Sequence, residues 1–151
     1  MSIGEYCNRE LVIVSRTESV KEAIDLMRSH HVGDVIVVDR QGDLVLPIGI
    51  LTDRDIVLEI LAEGVDLNTI NIGDVMNYEL VTVAEQSNLI DTIKIMQAKG
   101  VRRMPVVDNQ GGLVGIITAD DILELVAEQL QDIVGLIHQE QKREIKQRSV
   151  C

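Results

Sequence analysis

Apolar residues in this chain come in short bursts, and the period of each burst names an element. Leu11 to Val14 is a brief apolar run of strand length. Val20, Ala23, Ile24 and Met27 follow at helical spacing behind Ser19-x-x-Glu22, a capping-box signature. Val35 to Val38 is a β-branched run too short for a helix, Arg40-Gln41-Gly42-Asp43 is a turn, and Leu44 to Leu51 is the partner strand. A second helix is predicted from about Asp53 to Glu63, stopped by Gly64.

The cycle then starts again. Asn8-Arg9-Glu10-Leu11-Val12 matches Asn77-Tyr78-Glu79-Leu80-Val81, and the same spacing lays Ile24, Met27 and Val32 over Ile93, Met96 and Val101. Val37-Val38-Asp39-Arg40-Gln41-Gly42 lies over Val106-Val107-Asp108-Asn109-Gln110-Gly111. After a surplus around Val45 to Pro47, Gly49-Ile50-Leu51-Thr52-Asp53-Arg54-Asp55 aligns with Gly115-Ile116-Ile117-Thr118-Ala119-Asp120-Asp121. The chain is a tandem duplication of a strand, helix, strand, strand, helix unit. In the second copy Asn88-x-x-Asp91 opens the first helix, Gly100 stops it, and Met104 to Val107 and Leu113 to Ile117 are the hairpin strands. Each unit is near 60 residues, marginal alone, so the two are expected to bury their sheet faces against one another. The boundaries read as 3–64 for unit 1, 65–75 for the linker, 76–130 for unit 2 and 131–151 for a helical extension and tail. The last helix keeps an apolar stripe through Leu123, Val126, Leu130, Ile133, Val134 and Ile137, longer than one unit can cover.

Composition narrows the function. Of 151 residues 46% are hydrophobic, so a packed core is available, but only 1% are aromatic, which leaves no platform for stacking nucleobases. A net charge of −11 repels nucleic acid and anionic membrane. From Gln139 onward the balance turns positive, through Lys142, Arg143, Lys146 and Arg148 against Glu140 and Glu144. Two cysteines do not make a disulfide framework, no signal peptide opens the chain, and no apolar run spans a bilayer. A cytoplasmic protein is expected. His30-His31 and the Asp53, Asp55, Asp120, Asp121 set do not form a metal-ligand pattern, and Mg²⁺ would more readily arrive on a nucleotide's phosphates. Nothing resembles a nucleophile–base–orienter set, so no catalysis and no catalytic residue are expected.

The informative element is Gly-x-x-Thr-x-x-Asp at 49–55 and again at 115–121. Each leaves a strand and enters a helix. Thr-x-x-Asp is in itself a helix cap, and spacing alone favours that reading. A carboxylate and a hydroxyl at a strand end are also placed to hold the vicinal hydroxyls of a ribose, and helix-start amides can face a phosphate.

Taken with Asp74-Val75-Met76, Val101-Arg102-Arg103-Met104-Pro105-Val106-Val107-Asp108 and His31-Val32-Gly33-Asp34-Val35, the repeats resemble a pair of cystathionine β-synthase (CBS) domains, the Bateman module. The likeness covers roughly residues 3 to 130. It implies an α/β (α+β) fold of two tandem β-α-β-β-α units in a pseudo-twofold arrangement, with the extended helix added. It implies a regulatory module that needs no cofactor and binds adenine nucleotides or adenosyl compounds. Carried over by residue, a main site would use Ile116, Thr118, Asp121, Val101, Arg102, Arg103, Met104 and Pro105, closed by Ile3, Tyr6 and Cys7. A second would use Ile50, Thr52, Asp55, Val32, Gly33 and Val35, closed by Ile72, Val75 and Met76. Arg102 and Arg103 favour the Asp121 site for a phosphorylated ligand, whereas Gly33 and Asp34 hold the aligned places in the first unit. The Asp55 site is then empty, takes a less anionic adenosyl ligand, or borrows Arg102 or Arg103 across a shared cleft. AMP, ADP, ATP, S-adenosylmethionine and NAD(H) stay open as ligands. The resemblance also implies a homodimer, in which two modules form a flat disc, and an unidentified regulated protein as a further partner. A dimerisation module without a ligand and a regulatory subunit of a separately encoded enzyme are the alternatives.

Overall fold

The computed structural model describes residues 2–149; positions 150 and 151, the end of the predicted tail, lie outside them. The chain divides into a body ending at Ile117 and a C-terminal segment from Thr118. The elements are α1 (Ile3–Tyr6), β1 (Ile13–Val14), α2 (Val20–His30), β2 (Asp34–Gln41), β3 (Leu44–Thr52), α3 (Asp53–Asp55), α4 (Ile72–Val75), β4 (Val83–Ala84), α5 (Leu89–Lys99), β5 (Arg103–Val107), β6 (Leu113–Thr118) and α6 (Ala119–Ser149). Two three-stranded sheets, β1-β2-β3 and β4-β5-β6, are the two predicted units, and the fold is mixed helix and sheet.

Local chemistry accounts for the element ends. The Ser19 hydroxyl accepts from Glu22 N–H at 3.1 Å and Asn88 Oδ1 from Asp91 N–H at 2.8 Å, each satisfying an orphan donor at a helix start. Both helices end on a left-handed residue: Gly100 at φ 65 in the second unit, but His31 at φ 55 in the first. α3 widens into a π-helix over Ile56–Leu61, so the predicted helix ends before Glu63. The surplus residues lengthen the outer end of β3, where Leu44, Val45 and Leu46 pair with Gln41, Arg40 and Asp39. β2 therefore runs three residues past the predicted Val38. A bulge leaves Ile48 unpaired beside Pro47, on an edge strand where a missing N–H is tolerated.

The body has a core between helices and sheet in the first unit, built from Val20, Ala23, Met27, Val35, Val37, Leu51, Ile56 and Ile60. A separate cluster joins the sheets: Ile36 and Val38 of β2 pack with Ile116 of β6. The expected burial of one sheet against the other is present there.

The units also exchange segments. Ile3 and Gly4 donate backbone hydrogen bonds to Ser87 and Glu85 of the second unit, and Asn8 bridges Ile116. At the same repeat spacing Ile72 and Gly73 donate to Glu18 and Arg16 of the first unit, and Asn77 bridges Ile50. Ile3 and Ile72 are both fully buried, so each lead-in segment plugs the other unit. This crossing explains the motif glycines. A Cβ on Gly49 would stand 2.9 Å from Asn77 O and from Met76 Sδ; one on Gly115 would stand 2.9 Å from Asn8 O and 2.5 Å from Cys7 Sγ.

Candidate ligand-binding cleft

Each Thr-x-x-Asp is a complete reciprocal cap. Asp55 N–H donates to Thr52 Oγ1 at 3.1 Å while Thr52 N–H donates to Asp55 Oδ2 at 3.0 Å. In the C-terminal segment, Asp121 N–H donates to Thr118 Oγ1 at 3.1 Å and Thr118 N–H to Asp121 Oδ2 at 3.2 Å. The cap engages one carboxylate oxygen with one donor. A carboxylate has about four acceptor positions, so the cap and a ligand can share it. The helix start holds both side chains in one rotamer, which lowers the entropy that binding would otherwise cost. Capping and binding are thus compatible uses of the same pair.

Beside the first cap lies a cleft of about 250 Å³, just below the usual range for ligand sites. Ile50, Thr52 and Asp55 form one side, followed by Asp53 and Arg54 from the helix start. Val101, Arg102, Arg103 and Pro105 come from the second unit, and Asn77, Glu79, Leu80 and Val81 from the segment that crosses between units. Aliphatic wall, carboxylate and guanidinium therefore converge in one place. Arg103 Nη1 also donates to Asp34 Oδ2 in an ion pair that ties β5 to β2.

The predicted site residues divide as follows. Ile50, Thr52 and Asp55 line the cleft, and so do Val101, Arg102, Arg103 and Pro105, which the sequence reading had allotted first to the Asp121 site. They lie in the same cleft as Asp55, the arrangement that a borrowing of arginines by the Asp55 site would need. Met104 is fully buried: side chains alternate along β5, so Arg103 and Pro105 reach the cleft while Met104 faces the core. Val35, Ile72 and Met76 belong to the first-unit core and do not line the cleft, and Val75 packs against that core. Gly33 accepts Asp53 N–H at 2.9 Å through its carbonyl, and Val32 is exposed beside it. Ile3 is a buried plug and Ile116 is nearly buried between the sheets. Tyr6 is exposed, and Cys7, like its repeat counterpart Met76, sets its sulfur against a motif glycine.

Asn77, Glu79, Leu80 and Val81 also line the cleft and were not among the predicted residues. The signal was present, because Asn-x-Glu-Leu-Val is identical at four of five positions in the two repeats. Asn77 Oδ1 accepts from Glu79 N–H at 2.9 Å, and Asn8 Oδ1 from Glu10 N–H at 2.9 Å, so the match records a shared turn in the crossing segment. Among the described residues no group of three or more His, Cys, Asp or Glu is placed to hold a metal. Nor is any helix long and apolar enough to cross a membrane.

Paired β-α-β-β-α units with exchanged lead-in segments and a capped Thr-x-x-Asp at each second-helix start define a class of duplicated two-unit modules. The CBS domain family matches residues 3–62 and 72–128, and the chain belongs to that family as a tandem pair. It is similar to the CBS domain-containing protein YhcV of Bacillus subtilis, with 38% identity over 121 residues, 80% of this chain and 82% of that protein. An uncharacterized protein of Methanopyrus kandleri is 36% identical over 125 residues; the match covers 83% of this chain and 62% of that relative's length. Among solved structures, a CBS domain pair in complex with 5′-methylthioadenosine and S-adenosyl-L-methionine is similar at TM-score 0.71 and 25% identity, covering 83% of this chain and 99% of that one.

Proposed function

We propose that this chain is a regulatory module, without catalysis of its own, that binds an adenine nucleotide or adenosyl ligand in the cleft beside Asp55. The observation that carries the reading is the convergence, in that one cleft, of the capped Asp55 with an aliphatic wall and guanidinium groups from the other unit. Asp55 accepts from the ribose hydroxyls and Thr52 supports it. Ile50, Leu80, Val101 and Pro105 enclose the base, a role that needs only apolar surface. Arg102 and Arg54 face the phosphate, each charge-assisted bond contributing about 1.5–3 kcal/mol. The solved pair with adenosyl ligands supports this chemistry. The Thr118–Asp121 cap offers the same ribose-binding pair for a second ligand.

Signal transmission follows from Arg103. A phosphate in the cleft competes with Asp34 for its guanidinium, and that ion pair bridges the two sheets. Occupancy thereby changes the packing of the units and, through it, a contact with a second copy or a regulated protein.

The test is thermal unfolding with AMP, ADP, ATP, S-adenosylmethionine and NADH. Ligand at 100 times Kd stabilises by about 2.7 kcal/mol, a rise in Tm of several degrees for a chain of this size. The expected result is a rise with at least one of them that Asp55→Ala cuts to about half or less. A rise unchanged in Asp55→Ala moves the ligand to another site. No rise with any, once bound nucleotide is excluded by mass spectrometry of denatured protein, leaves an assembly module.

A further inference from the structure

The two lead-in segments leave their short helices in the same way. Were the helices to continue, Asn8 N–H would close on Gly4 O and Asn77 N–H on Gly73 O. Both amides are instead diverted into the other repeat. Asn8 N–H donates to Ile116 O at 2.9 Å and Asn77 N–H to Ile50 O at 3.2 Å. Each crossing therefore orphans a carbonyl, Gly4 O in α1 and Gly73 O in α4.

A side chain five residues on takes up each of these carbonyls. Arg9 Nη2 donates to Gly4 O at 2.9 Å, with the Cys7 thiol at 3.7 Å, and the Tyr78 hydroxyl donates to Gly73 O at 2.6 Å. Arg9 and Tyr78 are counterparts in the repeat, so two chemically different donors serve one position. The crossings are not equally tight. Asn8 and Ile116 exchange two bonds of 2.9 Å, whereas the return bond from Ile50 N–H to Asn77 O is 3.4 Å, longer than a usual backbone bond. The looser crossing is the one that carries the cleft wall, because Ile50, Asn77, Glu79, Leu80 and Val81 all line the cleft.

We infer that Tyr78 is a positioning residue for the cleft: by capping Gly73 O it holds Asn77 on Ile50 and keeps α4 from winding on through Asn77. Without that cap, Gly73 O is satisfied by water or by drawing the Asn77 amide back, and the second course strips the crossing segment from the cleft wall. Tyr78 is 60% exposed and does not itself line the cleft, so it acts through the backbone of its segment rather than on a ligand. The effect on affinity rests on the ligand reading proposed above; the effect on the backbone stands without it.

The experiment compares full-length wild type, Tyr78→Phe and Tyr78→Arg by amide hydrogen exchange without ligand and by calorimetric titration with AMP and adenosine. Tyr78→Phe should speed exchange of the Asn77 and Ile50 amides about three- to tenfold and weaken both ligands by a similar factor. Tyr78→Arg installs the first repeat's donor and should return exchange to the wild-type rate. It should also restore the affinity for adenosine, a neutral probe on which the added charge has little effect. A tyrosine that merely packs would be missed as much in Tyr78→Arg as in Tyr78→Phe. Unchanged exchange in Tyr78→Phe, or no recovery in Tyr78→Arg, overturns the proposal. Faster exchange with unchanged affinity overturns the part that concerns the cleft. Failure of both ligands to bind the wild type overturns the ligand reading instead, and the exchange rates then decide the role of the cap.

Discussion

The two repeats of this chain are the same fold with different tolerances. Both keep the Thr-x-x-Asp cap, the Asn-x-Glu turn and the motif glycine against which the other unit's lead-in segment crosses. They diverge at the end of the first helix, where His31 stands for Gly100, and at the hairpin, where β3 is longer than β6. They diverge also at the starts of β2 and β5, where Asp34 in one repeat pairs with its counterpart Arg103 in the other. Backbone passing within van der Waals range of a Cα admits no side chain, so that position stayed glycine twice. Side chains that face solvent or ligand had no such constraint, and there the copies became complementary rather than alike.

The sharpest way to break this equivalence is to fill the crossing. Gly115→Val meets Cys7 Sγ and Asn8 O at once and should cost about 3 kcal/mol, lowering Tm by roughly 6–12 °C in a thermal melt. Gly49→Val should cost nearly as much: it too meets a backbone carbonyl, Asn77 O, but the long Met76 side chain gives way more easily than the short Cys7 thiol. An unchanged Tm in either would mean the exchanged segments do not cross there. Next comes the pair of caps. Asp55→Ala should weaken the adenine ligand ~10- to 100-fold by calorimetry, and Asp121→Ala, measured the same way, shows whether the second cap holds a ligand of its own.

A smaller effect tests the complementarity. Asp34→Asn frees Arg103 from its partner and should tighten a phosphorylated ligand by ~3- to 10-fold while leaving adenosine unchanged. Equal gains for both ligands would show that Arg103 does not reach the phosphate. The smallest change makes the repeats more alike. His31→Gly removes a Cβ from a left-handed residue, whose cost of about 1–2 kcal/mol is partly offset by the freer unfolded chain. The net gain should be about 0.5–1 kcal/mol, seen as a rise of ~1–4 °C in Tm.

Much of this was legible in one dimension. The duplication, the strand and helix periods, the caps at Ser19 and Asn88 and the importance of Thr52 and Asp55 all follow from short-range patterns. Those patterns are local because a cap or a period involves residues within one or two turns. The grouping of the cleft was not legible. Arg102, Arg103 and Pro105, allotted first to the cap in their own repeat, line the cleft beside Asp55, and the side chains of Val35, Ile72 and Met76 lie in the core. Alternation along β5 separates Met104 from its two neighbours, yet which face of that strand looks into a cleft depends on what packs behind it.

The sequence by itself therefore determined the repeat, its elements and the capped carboxylates, since each arises from contacts between near neighbours in the chain. Only the tertiary structure decided which backbone atoms the crossing lead-in segments meet, that the motif glycines mark that crossing, and that the second unit's arginines line the same cleft as the first unit's aspartate. Those facts depend on residues 27 (Ile50 and Asn77) to 108 (Asn8 and Ile116) positions apart meeting in space, and no local period encodes such a meeting.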